Sequence, residues 1–495
     1  MKKTFIFFIS IVCCLNLSAK RYLVQSGEDG ASTWRAASTD EEIVDLKAID
    51  KTIGAWYNAL TNPASAEEKI EIWVIKGTFR TTALATKSHT HLFGGFSGTE
   101  SSIEERKKGD FPWAFSNASV LDANFSAGVL LGGGSRSNVF LDGFTVCNSV
   151  NESAIKLRGS EIVQNCIIEE NSNKLGSKGG AILMYQGGNV KNCLIRNNEA
   201  GSGGGIATVS LGTRECIIEN CVFENNTTSD GLGSAIYTET ALYCLIRNCL
   251  TYNNNGAVAI YYKSGVGGGG TMANMTIAET KTKGYYSQQQ TEVPKVYNSA
   301  FWGYSTENEE IYSQITCVAG GGLELSNCAI INPTLDTWTV SNVINLEKDN
   351  TGSEAGLFYA GFTDPDNDDY TLTEASALID NGIKIEGITP TTDVFGVERS
   401  ITDPMDIGCF EFDKNFLSIT DEKNYSELGK VYCENNILKI SNVQDQTRVS
   451  IFDVSGKKIK EAIISNNFEY KINSGLYIIK LEQGKNVTSK KILSL

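Results

Sequence analysis

Between residues 160 and 255, short apolar runs restart at a nearly fixed interval. The tripeptides Gln164-Asn165-Cys166, Lys191-Asn192-Cys193, Glu219-Asn220-Cys221 and Arg247-Asn248-Cys249 mark it, at steps of 27, 28 and 28 residues. A period of this length is the signature of stacked repeat units. Each unit reads as short strands broken by Gly, Asn and Ser turns. That pattern predicts a β-solenoid, in which each coil pairs only with its neighbours.

The pattern also sorts side chains by direction. Two residues before each Asn stands Val163, Val190, Ile218 or Ile246, expected as one apolar rib inside the coil. Strand side chains alternate in direction, so Gln164, Lys191, Glu219 and Arg247 are expected to point outward, with Lys191, Glu219 and Arg247 forming a ladder of alternating charge. The Asn column extends to Asn274, Asn298 and Asn327. Asn tolerates left-handed backbone angles and bonds locally to the chain, and stacked amides can bond from coil to coil. Ile155, Ile182, Ile206, Ile236 and Ile260 form a second rib after a loop of variable length. Tyr237 and Tyr261 follow two of these isoleucines. Both are expected to face outward on adjacent coils, as a candidate platform for sugar rings.

Ahead of the repeats, Ile43, Leu46, Ile49, Ile53, Trp56 and Leu60 recur at helical spacing. They predict an amphipathic helix over 39–62. A helix there would cover the open end of the solenoid, within an N-terminal cap region at 20–69. Ile70 to Phe79 then reads as an alternating strand.

At this point a resemblance becomes specific. Ser32-Thr33-Trp34, Ile72-Trp73-Val74 through Gly77-Thr78-Phe79, and Leu92-Phe93-Gly94-Gly95-Phe96-Ser97-Gly98-Thr99-Glu100 with Arg106 form one end of it. The other end is Tyr370-Thr371-Leu372, Ser376 to Gly382, Asp393, Gly396, Arg399 and Asp406-Ile407-Gly408-Cys409-Phe410-Glu411. With the Asn and Cys ladders, these segments resemble secreted bacterial right-handed parallel β-helix proteins of the pectate-lyase-like superfamily and the choice-of-anchor surface type. Cys409 departs from the pattern, where Ala is usual. The resemblance implies a β-helix over 70–412, of roughly a dozen coils by its period. It implies a surface location more firmly than an activity.

Composition narrows the setting. The chain has 495 residues, 48 of them Gly and only 7 Pro, which suits a turn-rich all-β protein. The net charge of −15 argues against a nucleic-acid partner. Met1-Lys2-Lys3, the apolar run Phe5 to Leu17 and Ser18-Ala19 predict a signal peptide at 1–19. No later segment is apolar enough to span a membrane. Cys13 and Cys14 lack the small residue that a lipobox places before its cysteine. Eleven of the thirteen cysteines remain after cleavage. Most stand in two columns, Cys166, Cys193, Cys221, Cys249 and Cys328, and Cys216 and Cys244, where buried free thiols would act as small apolar residues.

Candidate chemistry is sparse. His89 and His91, the only histidines, have no acid or thiol nearby in sequence to complete a metal site. Asp122 and Asp142 read as isolated. Glu169, Glu170, Glu199 and Glu224 are loose candidates for a carboxylate pair, which an inverting glycosidase holds about 6.5–9.5 Å apart. Asp364-Pro365-Asp366-Asn367-Asp368-Asp369 starts like a calcium loop, but Asp369 and Ala375 replace the Gly and Glu that such a loop requires. Gly267 to Gly270 lacks the Lys of a phosphate loop.

After a polar linker at 413–430, strands recur at short spacing from Val431, predicting a small β-sandwich over 431–495. Val449-Ser450-Ile451-Phe452-Asp453, Gly456-Lys457, Ser474-Gly475-Leu476-Tyr477-Ile478 and the terminal Lys491-Ile492-Leu493 resemble the sorting domain of the type IX secretion system. That resemblance implies passage across the outer membrane, removal of the domain, and attachment at the cell surface. The expectation is therefore an exported, monomeric β-helix surface protein without a cofactor. It would partner the secretion machinery and a polysaccharide or surface glycan. The competing expectation is a polysaccharide lyase or glycoside hydrolase on the same scaffold, for which calcium would matter.

Overall fold

A computed structural model of the chain describes residues 20–412 and 430–494, apart from 27–31, 133–136, 210–215, 240–243, 264–269, 289–292, 306–309, 318–322, 332–338, 348–351, 353–356, 400–403 and a few shorter stretches. The signal segment, Cys13 and Cys14, most of the linker, Gly267 to Gly269 and Ser455-Gly456 lie outside the described residues. The chain divides into two compact units, Met1–Phe412 and Asp413–Leu495.

Parallel pairing builds the first unit. Ile70–Ile75, Thr90–Phe96, Val139–Asp142, Glu161–Gln164, Gly188–Lys191, Cys216–Glu219 and Cys244–Arg247 lie side by side, one per coil. A second sheet stacks nine strands, from Leu84–Ala85 to Ile315–Cys317. The ribs form as the alternation predicts. Val163, Val190, Ile218 and Ile246 share one register and are fully buried. So do Ile155, Ile182, Ile206, Ile236 and Ile260. Each such side chain contributes about 1.5–3 kcal/mol by leaving water. The two cysteine columns are interior, and all nine described thiols are free and buried.

Asn165, Asn192, Asn220, Asn248, Asn274, Asn298 and Asn327 take φ between 46° and 55°. This left-handed bend turns the chain sharply between two strands of a coil, and Asn occupies it at little cost. Four of the amides form a chain. Asn248 donates to Asn220 (2.6 Å), Asn220 to Asn192 (3.0 Å), Asn192 to Asn165 (3.2 Å) and Asn165 to Asp142 (3.1 Å). A second, more deeply buried ladder runs the other way. Asn171 donates to Asn198, Asn198 to Asn226, Asn226 to Asn254 and Asn254 to Glu279, at 2.8–3.1 Å. Each chain of amides thus ends on a carboxylate, the natural terminus for a row of donors.

The predicted helix over 39–62 is corrected. Only Ile53–Ala59 is helical (α1), with Thr52 accepting from the N–H of Ala55. Glu41–Asp45 is a strand (β2) that pairs in parallel with Lys20–Gln25 (β1), which in turn pairs with Ile70–Ile75 (β3). The helical stripe required Ile43 and Ile49 to be buried, yet both are exposed. Val44 turns inward instead, because pairing with β1 satisfies the backbone and sets a period of two.

The motif residues at the two ends are structural locks. Glu100 accepts the N–H groups of Ser97, Gly98 and Thr99. Arg106 is buried and donates to Gly94 (2.9 Å) and Asp142 (3.0 Å). Gly143, at φ 80°, leaves room for that guanidinium, since a Cβ there would sit 2.7 Å from it. Trp34, Phe96 and Trp73 pack ring on ring nearby. At the other end, the described residues of the closing segment 358–412 lie on the outer face of one sheet. Phe362, Tyr370, Leu378, Ile407 and Phe410 cover Val222, Leu250, Ala300 and Trp302.

The second unit holds two antiparallel sheets, one of three strands and one of four. Leu438, Val449, Ile451, Ile479 and Leu481 form its core.

Candidate functional site

The second sheet turns its isoleucines inward, so the residue after each faces out. That row runs Leu183, Ala207, Tyr237, Tyr261 and Tyr286. Parallel register stacks the rings: Tyr237 on Tyr261 at 5.5 Å and 4°, and Tyr261 on Tyr286 at 5.2 Å and 5°. Leu183, Ala207 and Val258 join them in a separate outer apolar cluster. The direction is as expected but the exposure is not. Tyr237 and Tyr261 are only 3% and 5% exposed, because stacking uses their faces. Burial, with Glu239 and then Tyr261 next in weight, raises the Tyr237 phenol above its ordinary range. Tyr286 is the least buried ring of the row.

Charged groups border it. Lys178 lies 5.5 Å from the Tyr237 ring centre. Lys178 and Lys263 both pair with Glu239; burial, the largest single effect, works to raise its carboxyl, but the hydrogen bonds and charges of the two lysines together hold it below its ordinary value. Ser202 donates to Asp230. Arg158 sits over Tyr185 at 4.7 Å.

The acids are distributed differently from the sequence reading. Arg196 joins Glu169 (2.7 Å) and Glu224 (3.5 Å) across three coils, and Tyr252 donates to Glu224. Glu199 pairs with Lys174. Glu170 occupies a left-handed turn position, at φ 56°. Asp142 is not isolated: Arg106, Gln164 and Asn165 all donate to it. Nor is Asp122, which accepts from Asn148 and the N–H of Asn124. In the outward charge row, Arg247 pairs with Glu219 at 2.6 Å.

His91 bonds to the Asn138 side chain at 3.0 Å, and His89 contacts the same amide at 3.5 Å. Burial lowers the His91 pKa. The acidic turn is tied up locally. Asn367 donates to Asp364, Thr371 to Asp369 and Asn253 to Asp368. Among the described residues, no group of three or more His, Cys, Asp or Glu side chains is placed to hold a metal ion.

The buried Asn ladder went unread in the sequence. Its signal was the doublets Asn197-Asn198, Asn225-Asn226 and Asn253-Asn254, one unit apart. The first residue of each takes the left-handed bend and the second enters the ladder.

Comparison with known families agrees with this architecture. Residues 127–345 match the family model for a right handed beta helix region. Residues 434–494 match that for a secretion system C-terminal sorting domain. No curated protein matches the chain. It is a secreted right-handed β-helix protein. Its second unit is a type IX sorting domain, which addresses it to the secretion machinery and the cell surface. No helix among the described residues is long and apolar enough to cross a membrane.

Proposed function

We propose that the protein is a non-catalytic adhesin that binds a polysaccharide or surface glycan along the face carrying Tyr237, Tyr261 and Tyr286. The tyrosine row supports this reading. Three rings stand parallel within 5° on consecutive coils, held by strands that cannot slide without moving the isoleucine rib. Lys178, Glu239 and Lys263 lie beside them and can bond to hydroxyl groups. Tyr237 and Tyr261 act as the foundation, and the more open Tyr286 takes the sugar face. The test is retention of the chain on a panel of insoluble glycans. Tyr286→Ala and Lys263→Ala should weaken retention on whichever glycan binds. Release of new reducing or unsaturated ends would sink the proposal.

One observation favours a second reading, a polysaccharide lyase or glycoside hydrolase. Arg196 stands between Glu169 and Glu224 on consecutive coils, which gathers two carboxylates and a cation in one row. Calcium belongs to this reading only. Product release that Arg196→Ala or Glu224→Gln abolishes would establish it.

A further inference from the structure

The outer row of the second sheet offers hydroxyl groups rather than ring faces. Stacking covers the faces of Tyr237 and Tyr261. Neither phenol oxygen has a hydrogen-bond partner among the described residues, and neither is sealed from solvent. The tip of each side chain is therefore what a ligand meets.

The row is straight and evenly spaced. Tyr237, Tyr261 and Tyr286 stay parallel within 5° over three coils, so the sheet hardly twists here. Flat sheets of this kind are held by stacked side-chain ladders. Parallel rings in one register carry their hydroxyls at the ring spacing, 5.2–5.5 Å. The phenols also act on one another. After burial, the largest cause, Tyr261 helps raise the Tyr237 phenol and Tyr286 helps raise that of Tyr261. Two residues further on, Glu239 and Lys263 make a second line in the same register. Lys178 and Lys263 already have Glu239 as their carboxylate, so this face calls for hydroxyl groups rather than for an anion.

Polysaccharides differ in how far each sugar advances the chain. Where both bridging bonds of a 1,4-linked sugar are equatorial, the rings lie end to end. Each then advances the chain by about 5 Å, close to one strand spacing. An axial bond shortens the step and winds the chain into a helix, which soon leaves a straight row.

Resting on the glycan reading above, we propose that the ligand of this face is an unbranched, neutral β-1,4-linked polysaccharide of the glucan, mannan or xylan kind, lying along the solenoid axis with one sugar per coil. Sugars over Tyr237 and Tyr261 bond to the phenol hydroxyls, with Glu239 and Lys263 along one side. The next sugar reaches the outer face of Tyr286. The residue that follows Tyr286 in register is Thr316, which has no ring to cover that face. Because the spacing is already set by the coils, these side chains need little reordering to meet the repeat, and binding is spared that cost.

The experiment is retention of the exported full chain on insoluble cellulose, β-1,4-mannan and raw starch, the last being α-linked. The expected result is retention on cellulose or mannan and none on starch. Tyr237→Phe and Tyr261→Phe each remove one hydroxyl and keep the ring. Each should weaken retention by about three- to tenfold, with an unaltered thermal transition to show that the stack is intact. Retention on starch that equals or exceeds the other two overturns this ligand class and leaves the glycan reading standing. So does retention that falls with Tyr286→Ala but is indifferent to both phenylalanines. No retention on any of the three overturns the ligand class, and only a wider panel that also retains nothing overturns the glycan reading with it.

Discussion

Arg399 donates to the side-chain oxygen of Asn248 at 2.7 Å, across 151 positions of sequence. Its other donors reach Gly408 (2.9 Å) and Glu411 (2.9 Å). The closing segment therefore caps the first amide ladder with a guanidinium, while Asp142 receives its other end. Asp393 and Asp406 hold the knot by accepting backbone N–H groups from Phe395, Val397, Glu411, Asp380 and Phe412. Burial raises the pKa of both carboxyls, so these N–H groups act against a real desolvation cost.

Removing Arg399 should loosen the closing segment. Arg399→Met takes the cation from the half-buried Glu411, and since breaking a fully buried pair costs about 3–5 kcal/mol, the loss should approach the lower end of that range. Denaturant unfolding should show the loss. Arg399→Lys should recover little of it, because an ammonium cannot reach three acceptors in a plane.

The two Asn columns should respond differently to substitution. Asn220 needs its left-handed backbone, so Asn220→Ala should cost about 1–2 kcal/mol more than Asn220→Gly. Asn226 is fully buried and bonds to Ile195, Asn198 and Asn254. Asn226→Ala should cost about 1–3 kcal/mol for each buried polar group left unsatisfied. Thermal melts of the three variants separate backbone strain from lost amide bonding.

The described thiols should be inert in the folded chain. Burial pushes Cys147, Cys328 and Cys409 up to about 12 and Cys166, Cys193 and Cys221 well above their ordinary value. Since the thiolate is the nucleophile, alkylation read by peptide mass should spare these positions until denaturant is added. Modification of the Cys193 peptide under native conditions would contradict the interior ladder.

His91 should make stability depend on mildly acidic pH. Its folded pKa is lowered, so the unfolded chain takes up the proton first, at an ordinary value of about 6.5. The contribution of neutral His91 is complete above that value and is lost as pH falls through it. Unfolding free energy should decline over this window, and His91→Gln should flatten the slope there.

The stacked architecture was legible because each coil repeats the same local instruction. Val163 and Val190 alternate with polar neighbours, and Asn165 and Asn192 mark the bend, so period and direction follow from the chain alone. The sorting domain was legible for a similar reason, through local strand motifs in fixed order. Exposure was not local. Whether Tyr237 is open or covered depends on Tyr261 and on the charged side chains beside it, and direction along a strand does not report coverage. The helix over 39–62 failed because its apolar positions fit two periods, and pairing with β1 chose between them.

Sequence alone thus determined the repeat, its interior ribs, its left-handed bends and the identity of the second unit, since these rest on neighbours a few residues or one fixed period away. Only the tertiary structure decided which distant groups meet: Arg399 with Asn248, Arg106 with Asp142, and Arg196 between two glutamates. Such partners are selected by the folding-back of chain segments that no local pattern encodes, and by the need of each buried charge to find a counter-charge wherever the coils bring one within reach.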